Sequence, residues 1–114
     1  MGSLEAWIYE PMMNLRQALA LAIKTTRKAR HLTQDDFGCV SSRTYLSTLE
    51  RGLKSPTLDK LDVISQTMEI HPASIVLLAY AILAGHENAQ AMIDRVVTES
   101  NELLSKFHQA KLGE

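Results

Sequence analysis

An all-α fold is predicted by three features of the sequence. Residues 14–31 repeat apolar side chains every three or four positions, with Leu15, Leu19, Ala22, Ile23 and Thr26 on one side. Residues 32–52 read as a short helix, a tight connection and a second helix closed by Gly52. Residues 87–111 carry a seam of Ala89, Ile93, Val96, Ser100, Leu103, Phe107 and Ala110, alternating steps of four and three.

The chain has 114 residues, enough for one domain with an appendage. Apolar residues make up 46% and aromatics only 5%, so aliphatic side chains and alanine must fill the core. A domain of this size buries a limited share of its surface, and a dimer interface would add stability. No apolar run approaches the roughly 18 residues of a membrane span. The start carries Glu5 and Glu10 without a basic region, unlike a secretory signal. The single cysteine, Cys39, allows no internal disulfide and fits a reducing compartment, so a cytoplasmic location is expected.

Net charge is −1, but its distribution is uneven. Residues 24–60 hold eight Lys/Arg against four acids, and residues 61–114 hold three against seven. A basic half and an acidic half result, and the basic half coincides with the 32–52 segment.

Taken in order, residues 1–12 form an expected N-terminal arm. Met1-Gly2-Ser3 resembles a cloning remnant, Met12 or Met13 is a candidate native start, and Trp7, Ile8 and Tyr9 would lie on the core or across a dimer. A domain over 13–84 follows. Its first helix, from Asn14 to about His31, ends in Arg27, Lys28 and Arg30, which suit the negative end of the helix dipole and could also reach phosphate.

Thr33 is the expected N-cap of the next short helix, and Phe37 and Val40 supply its apolar face. Ser41 and Ser42 offer a cap for the following helix, which turns Leu46 and Leu49 inward and leaves Arg43, Thr44, Ser47 and Thr48 outward. Gly52 stops it where a left-handed residue is cheapest. An exposed row of hydroxyls beside an arginine matches the edges of base pairs in a major groove, and the segment is read as a helix-turn-helix.

Ser55 or Thr57 can cap a helix over about Leu58–Met68, with Leu58, Leu61, Ile64 and Met68 inward. Ala73–Ala84, ASIVLLAYAILA, is apolar on nearly every side and reads as a buried helix needing cover beyond its own core. Gly85 ends it. The last helix, in a segment 85–114, is expected to dimerise through Ala89, Ile93, Val96, Leu103 and Phe107. Val97 and Leu104 widen the seam, as for a helix that also touches its own subunit; the alternative is an amphipathic helix folded back on the core.

At LTQDDF, SSRTYLSTLERGLKSPTLDKL and the apolar stretch after Pro72, the chain resembles Cro/cI-type (XRE-like) transcriptional regulators, over about Leu15–Leu78. The resemblance implies a lambda-repressor-like bundle of about five helices, here followed by the long C-terminal helix. It implies that Gln34 opens the first motif helix, and that Arg43, Thr44, Ser47 and Thr48 face the groove. Glu50 and Arg51 match a structural Glu-Arg pair, and Lys54 and Ser55 match a loop that meets phosphate. The chain departs from the family between glutamine and second helix, where it is about two residues shorter; Gly38 stands at a close helix approach and Val40-Ser41-Ser42 replace the turn glycine.

The expected partner is double-stranded DNA, read by a homodimer at a palindromic operator as a repressor. Arg43 can bond guanine O6 and N7 bidentately, or bond phosphate instead. Gln34 can pair with adenine or brace Arg43, and Thr44 and Thr48 can offer methyls to thymine or hydroxyls to phosphate. Lys24, Lys28, Thr33, Ser42, Tyr45, Lys54 and Ser55 are the candidate phosphate contacts, Tyr45 competing with a packing role. Two subunits would place equivalent helices about 34–36 Å apart.

No enzyme is expected. His86-Glu87 lacks the second histidine of a zinc protease, and His31, His71, His86 and His108 have no ligand spacing. No glycine-rich phosphate loop exists, no metal or cofactor is implied, and Cys39, which could sense oxidants from within the motif, reads instead as an inert, partly buried thiol. The rival function is a protein-binding module, such as an antitoxin or a subunit that docks on another regulator, using the 73–84 and 87–111 helices.

Overall fold

The computed structural model describes residues 13–113, so the expected N-terminal arm, including Trp7, Ile8 and Tyr9, lies outside the described residues. Those residues contain five α-helices, one 3-10 turn and no strand. The helices are α1 (Leu15–Ala29), α2 (Arg43–Glu50), α3 (Leu58–Thr67), α4 (Pro72–Ala84) and α5 (Ala89–Leu112), and the 3-10 turn Gln34–Phe37 precedes α2.

Each helix of the bundle starts on a side-chain cap. Asn14 Oδ1 accepts from the Gln17 N–H at 2.9 Å, and Gln17 Oε1 accepts from the Asn14 N–H at 2.9 Å, a reciprocal box that opens α1. Ser42 Oγ accepts from the Tyr45 N–H at 3.0 Å to open α2. Thr57, not Ser55, caps α3, accepting from the Lys60 N–H at 3.1 Å. His71 Nδ1 accepts from the Ala73 N–H at 3.0 Å, with Pro72 at the first helical position, where a missing N–H costs nothing. Helices α1 and α3 both end on a non-glycine residue at positive φ, His31 (59°) and Glu69 (54°). In each case the next N–H closes the last turn, Leu32 onto the Arg27 carbonyl and Ile70 onto the Ser65 carbonyl, both at 3.1 Å.

The core joins these elements through Ala18, Ala22, Ile23, Phe37, Leu46, Leu49, Leu61, Ile64, Met68, Ile75 and Ala79, all buried. Small residues on α1 (Ala18, Ala22) and α4 (Ala79) let those two helices pack closely, and Phe37 is the largest fully buried side chain. Three inward assignments are corrected. Leu58 is 80% exposed, because as the first residue of α3 it precedes the turn that faces the core. Leu15, at the first position of α1, is likewise exposed. Helix α4 buries only Ile75 and Ala79 fully, its other apolar residues being half-covered and Tyr80 exposed.

Helix α5 packs against α4 only near its start, where Ala89, Met92 and Ile93 are half-buried. From Asp94 onward every described residue is exposed, including Val97 and Leu104, which therefore do not touch the subunit's own core. The helix is 24 residues long and carries no buried residue, so it stands away from the bundle instead of folding back. Among the described residues, no single helix is long and apolar enough to cross a membrane.

Candidate nucleic-acid interface

The first motif helix is reduced to a single 3-10 turn. The Asp36 carboxylate accepts from the Thr33 N–H at 2.7 Å, drawing the start of the turn onto its own end. The Val40 and Ser41 N–H groups both donate to the Phe37 carbonyl, at 2.9 and 2.8 Å, and reverse the chain towards α2. Gly38 has an ordinary right-handed conformation (φ −56°) and is exposed, so it does not mark a close helix approach, and the next residue, Cys39, expected to be partly buried, is exposed on the same turn. The connection is instead held from outside. Lys60, on α3, donates from Nζ to the Val40 carbonyl at 2.6 Å, and the same ammonium lies 5.2 Å from the centre of the Tyr45 ring.

The inner side of α2 is fastened twice. Leu46 and Leu49 enter the core, and Glu50 receives two hydrogen bonds from Arg27, Nε to Oε2 at 2.6 Å and Nη2 to Oε1 at 2.8 Å. The remaining Arg27 nitrogen, Nη1, donates to the Leu32 carbonyl at 2.8 Å. The hydrogen bond to Glu50 raises the Arg27 pKa above its ordinary value, burial opposes this and the carboxylate charge reinforces it, so the guanidinium stays charged. Arg27 is thus a buried clamp between α1 and α2 and is not available to reach phosphate, although its place in the basic last turn suggested that it could. Beyond Glu50, Gly52 takes φ +73°, and its carbonyl accepts from Arg16 Nε at 2.7 Å, tying the end of α2 to the start of α1.

With its back fixed, α2 presents Arg43, Thr44 and Ser47, which with Gln34 of the 3-10 turn and Arg51 just past the helix line one solvent-open depression of about 280 Å³. Arg43, Ser47 and Arg51 recur every four residues, one side of a helix. Arg43 and Thr44 are exposed and Ser47 is half-buried. Arg43 Nη1 lies 3.6 Å from Asp35 Oδ2, an exposed pair that leaves the guanidinium free to exchange partners. Gln34 Nε2 donates to Glu50 Oε1 at 3.2 Å, so it braces the Arg27–Glu50 pair rather than Arg43. Thr48 does not line the depression, and its hydroxyl donates to the Thr44 carbonyl at 2.8 Å.

Around this depression, Ser42 is exposed with its oxygen engaged as a cap, and Tyr45 is half-buried beneath Lys60. Thr33, Lys54 and Ser55 are exposed in the loops on either side of the motif. Lys24 and Lys28 are exposed one turn apart on α1. Arg51 was not among the groove-facing positions expected from the sequence. Its four-residue spacing from Ser47 was the available signal, masked by the structural role of its neighbour Glu50.

Residues 23–75 match the helix-turn-helix family HTH_3, a span running from late α1 into α4. The crystal structure of the clp gene regulator ClgR from Corynebacterium glutamicum is similar, with 28% sequence identity and a TM-score of 0.60. The likeness covers 77% of this chain and 95% of that one. No curated protein sequence matches the chain.

Proposed function

We propose, with residues 23–75 forming a helix-turn-helix DNA-binding domain of the Cro/cI type, that this chain is a sequence-specific repressor of transcription. It reads a palindromic operator as a homodimer, inserting residues 43–51 into the major groove. The observation that supports this most directly is the depression in which two arginines, two hydroxyls and Gln34 meet on the outer side of a helix anchored to the core. Arg43 supplies bidentate base contact, Thr44 and Ser47 adjust it, and Gln34 and Thr48 play smaller parts because their polar groups are engaged within the protein. Lys24, Lys28, Thr33, Ser42, Tyr45, Lys54 and Ser55 meet the backbone and set the salt dependence.

In this reading residues 13–84 are the DNA-binding domain and 85–114 the dimerisation element, in a cytoplasmic, nucleoid-associated protein. The likeness to a regulator of clp genes is consistent with a role in gene control. Genomic footprinting followed by gel shifts with Arg43→Ala tests it. Loss of sequence preference with residual salt-sensitive binding supports base reading, and unchanged preference removes Arg43 from that role. The exposed α5 and half-covered α4 favour one rival, a protein-docking subunit. A stable complex with a co-encoded protein and negligible DNA affinity would establish that rival instead.

A further inference from the structure

A groove of about 600 Å³ runs between α3, α4 and α5, lined by apolar side chains that include Leu61, Pro72, Val76, Leu77, Tyr80 and Val96. Val96 also belongs to the α5 seam, so groove and seam form one continuous apolar strip. Beyond the bundle that strip continues through Leu103 and Phe107, which are 65% and 57% exposed, with Leu104 beside them at 51%. A helix this apolar on one side and free of its own core needs an occupant on that side.

Resting on the homodimer reading above, we propose that the occupant is α5 of a second copy, laid antiparallel, with each Phe107 seated against the other copy's Val96 and groove. Several registers bring the seam of one α5 against the other, and the antiparallel one that opposes Leu103 to Phe107 sets the two Lys106 ammoniums together. A parallel pairing sets Lys106 of one copy beside Lys111 of the other, a like-charge contact. An antiparallel pairing that opposes Ile93 to Leu103 brings the two Glu99 carboxylates together. The antiparallel pairing that opposes Val96 to Phe107 and Ser100 to Leu103 has none of these faults. It places Val97 against Leu104 on one flank and Glu99 against Lys106 on the other, so apolar contacts and charges are satisfied together. Arg95 holds Glu99 Oε2 at 3.1 Å, leaving the other carboxylate oxygen for the partner's lysine.

The arrangement is two-fold symmetric, so both grooves are filled by one operation. It also separates the starts of the two α5 helices by about 37 Å along their axis at 1.5 Å per residue.

Disulfide trapping in the full chain tests the register, with Cys39→Ser as the background. Val96→Cys combined with Phe107→Cys is expected to form a covalent dimer on mild oxidation, and Phe107→Cys alone is not. Light scattering and circular dichroism of the reduced variants show whether fold and dimer persist. Lys106→Glu should weaken dimerisation about tenfold, and adding Glu99→Lys to it should restore the dimer; this pair supports the proposal even where the cysteine variants fold poorly. Ready trapping by Phe107→Cys alone would overturn the antiparallel order. A wild-type dimer with no trapping and no charge-swap rescue would overturn the proposal and leave the homodimer reading intact. A monomer at tens of micromolar that still binds a single half-site would overturn both.

Discussion

Arg27 and Glu50, 23 positions apart in the sequence, form a two-bonded ion pair sealed between α1 and α2. Their side chains are 11% and 3% exposed. Breaking such a pair from one side leaves a buried charge without compensation, at a cost of about 3–5 kcal/mol. Arg27→Ala should therefore lower stability by about that amount in urea melts, and Glu50→Ala should do likewise. The double replacement Arg27→Met, Glu50→Leu should recover most of the loss, because desolvation of both ions is then removed. The pKa of Arg27 is raised by folding, so its contribution is complete below the ordinary arginine range and declines only as pH rises beyond it. It adds no slope to stability near neutral pH.

Asp35 stands 3.6 Å from Arg43 and faces the same solvent as the proposed groove contacts. If this face meets DNA as proposed, removing the Asp35 charge should strengthen binding, since an anion beside Arg43 repels phosphate. Asp35→Asn is expected to lower Kd roughly three- to tenfold at low ionic strength, fading as salt rises. Fluorescence anisotropy across a salt series checks it, and an unchanged or weaker affinity would argue against this face meeting DNA.

Ser65 is fully buried, and its hydroxyl has no hydrogen-bond partner among the described residues. An unpaired buried hydroxyl is a cost that alanine removes, offset by a small loss of packing. Ser65→Ala should leave stability unchanged or raise it by up to about 1 kcal/mol. Differential scanning calorimetry reads the shift.

Two helix ends predict opposite signs. At Gly52 a Cβ would lie 3.6 Å from Gln17 Cα, ordinary contact, so the cost of Gly52→Ala is conformational, about 1–2 kcal/mol from the positive φ. At His31 a residue with a Cβ already occupies such a conformation, and His31→Gly should gain up to about 1 kcal/mol. Thermal melts of both variants should move in opposite directions.

Much of the fold was legible because it is local. The inward spacing of Ala22 and Ile23, the pairing of Leu46 with Leu49, the cap at Ser42 and the stops at Gly52 and Gly85 each depend on residues within one or two turns. The positions that misled depend on distant neighbours. Arg27 follows Ile23 by one turn and so faces inward, yet only Glu50 makes its burial tolerable. The α5 seam has the same periodicity whether it meets its own core or another copy, so periodicity could not show that the helix leaves the bundle. The depression could be anticipated at Arg43, Thr44 and Ser47, whereas Gln34 turned to Glu50 because a buried carboxylate competes for any donor in reach.

Lys60 reaches from α3 to the Val40 carbonyl at 2.6 Å, and its ammonium covers Tyr45. A charged hydrogen bond of this kind contributes about 1.5–3 kcal/mol, so Lys60→Met should destabilise the domain measurably and loosen the connection before α2. Hydrogen exchange at the Val40 and Ser41 amides should accelerate, with urea melts giving the overall loss.

If α2 meets DNA as proposed, its aim is consequently held in part by residues outside the segment that does so, Lys60 on α3 and Arg27 on α1. Residues 33–52 are not a portable cassette. Transplanted into another scaffold without equivalents of Arg27 and Lys60, they would keep their letters and lose their aim, so a graft of the proposed specificity must carry α1 and α3 with it.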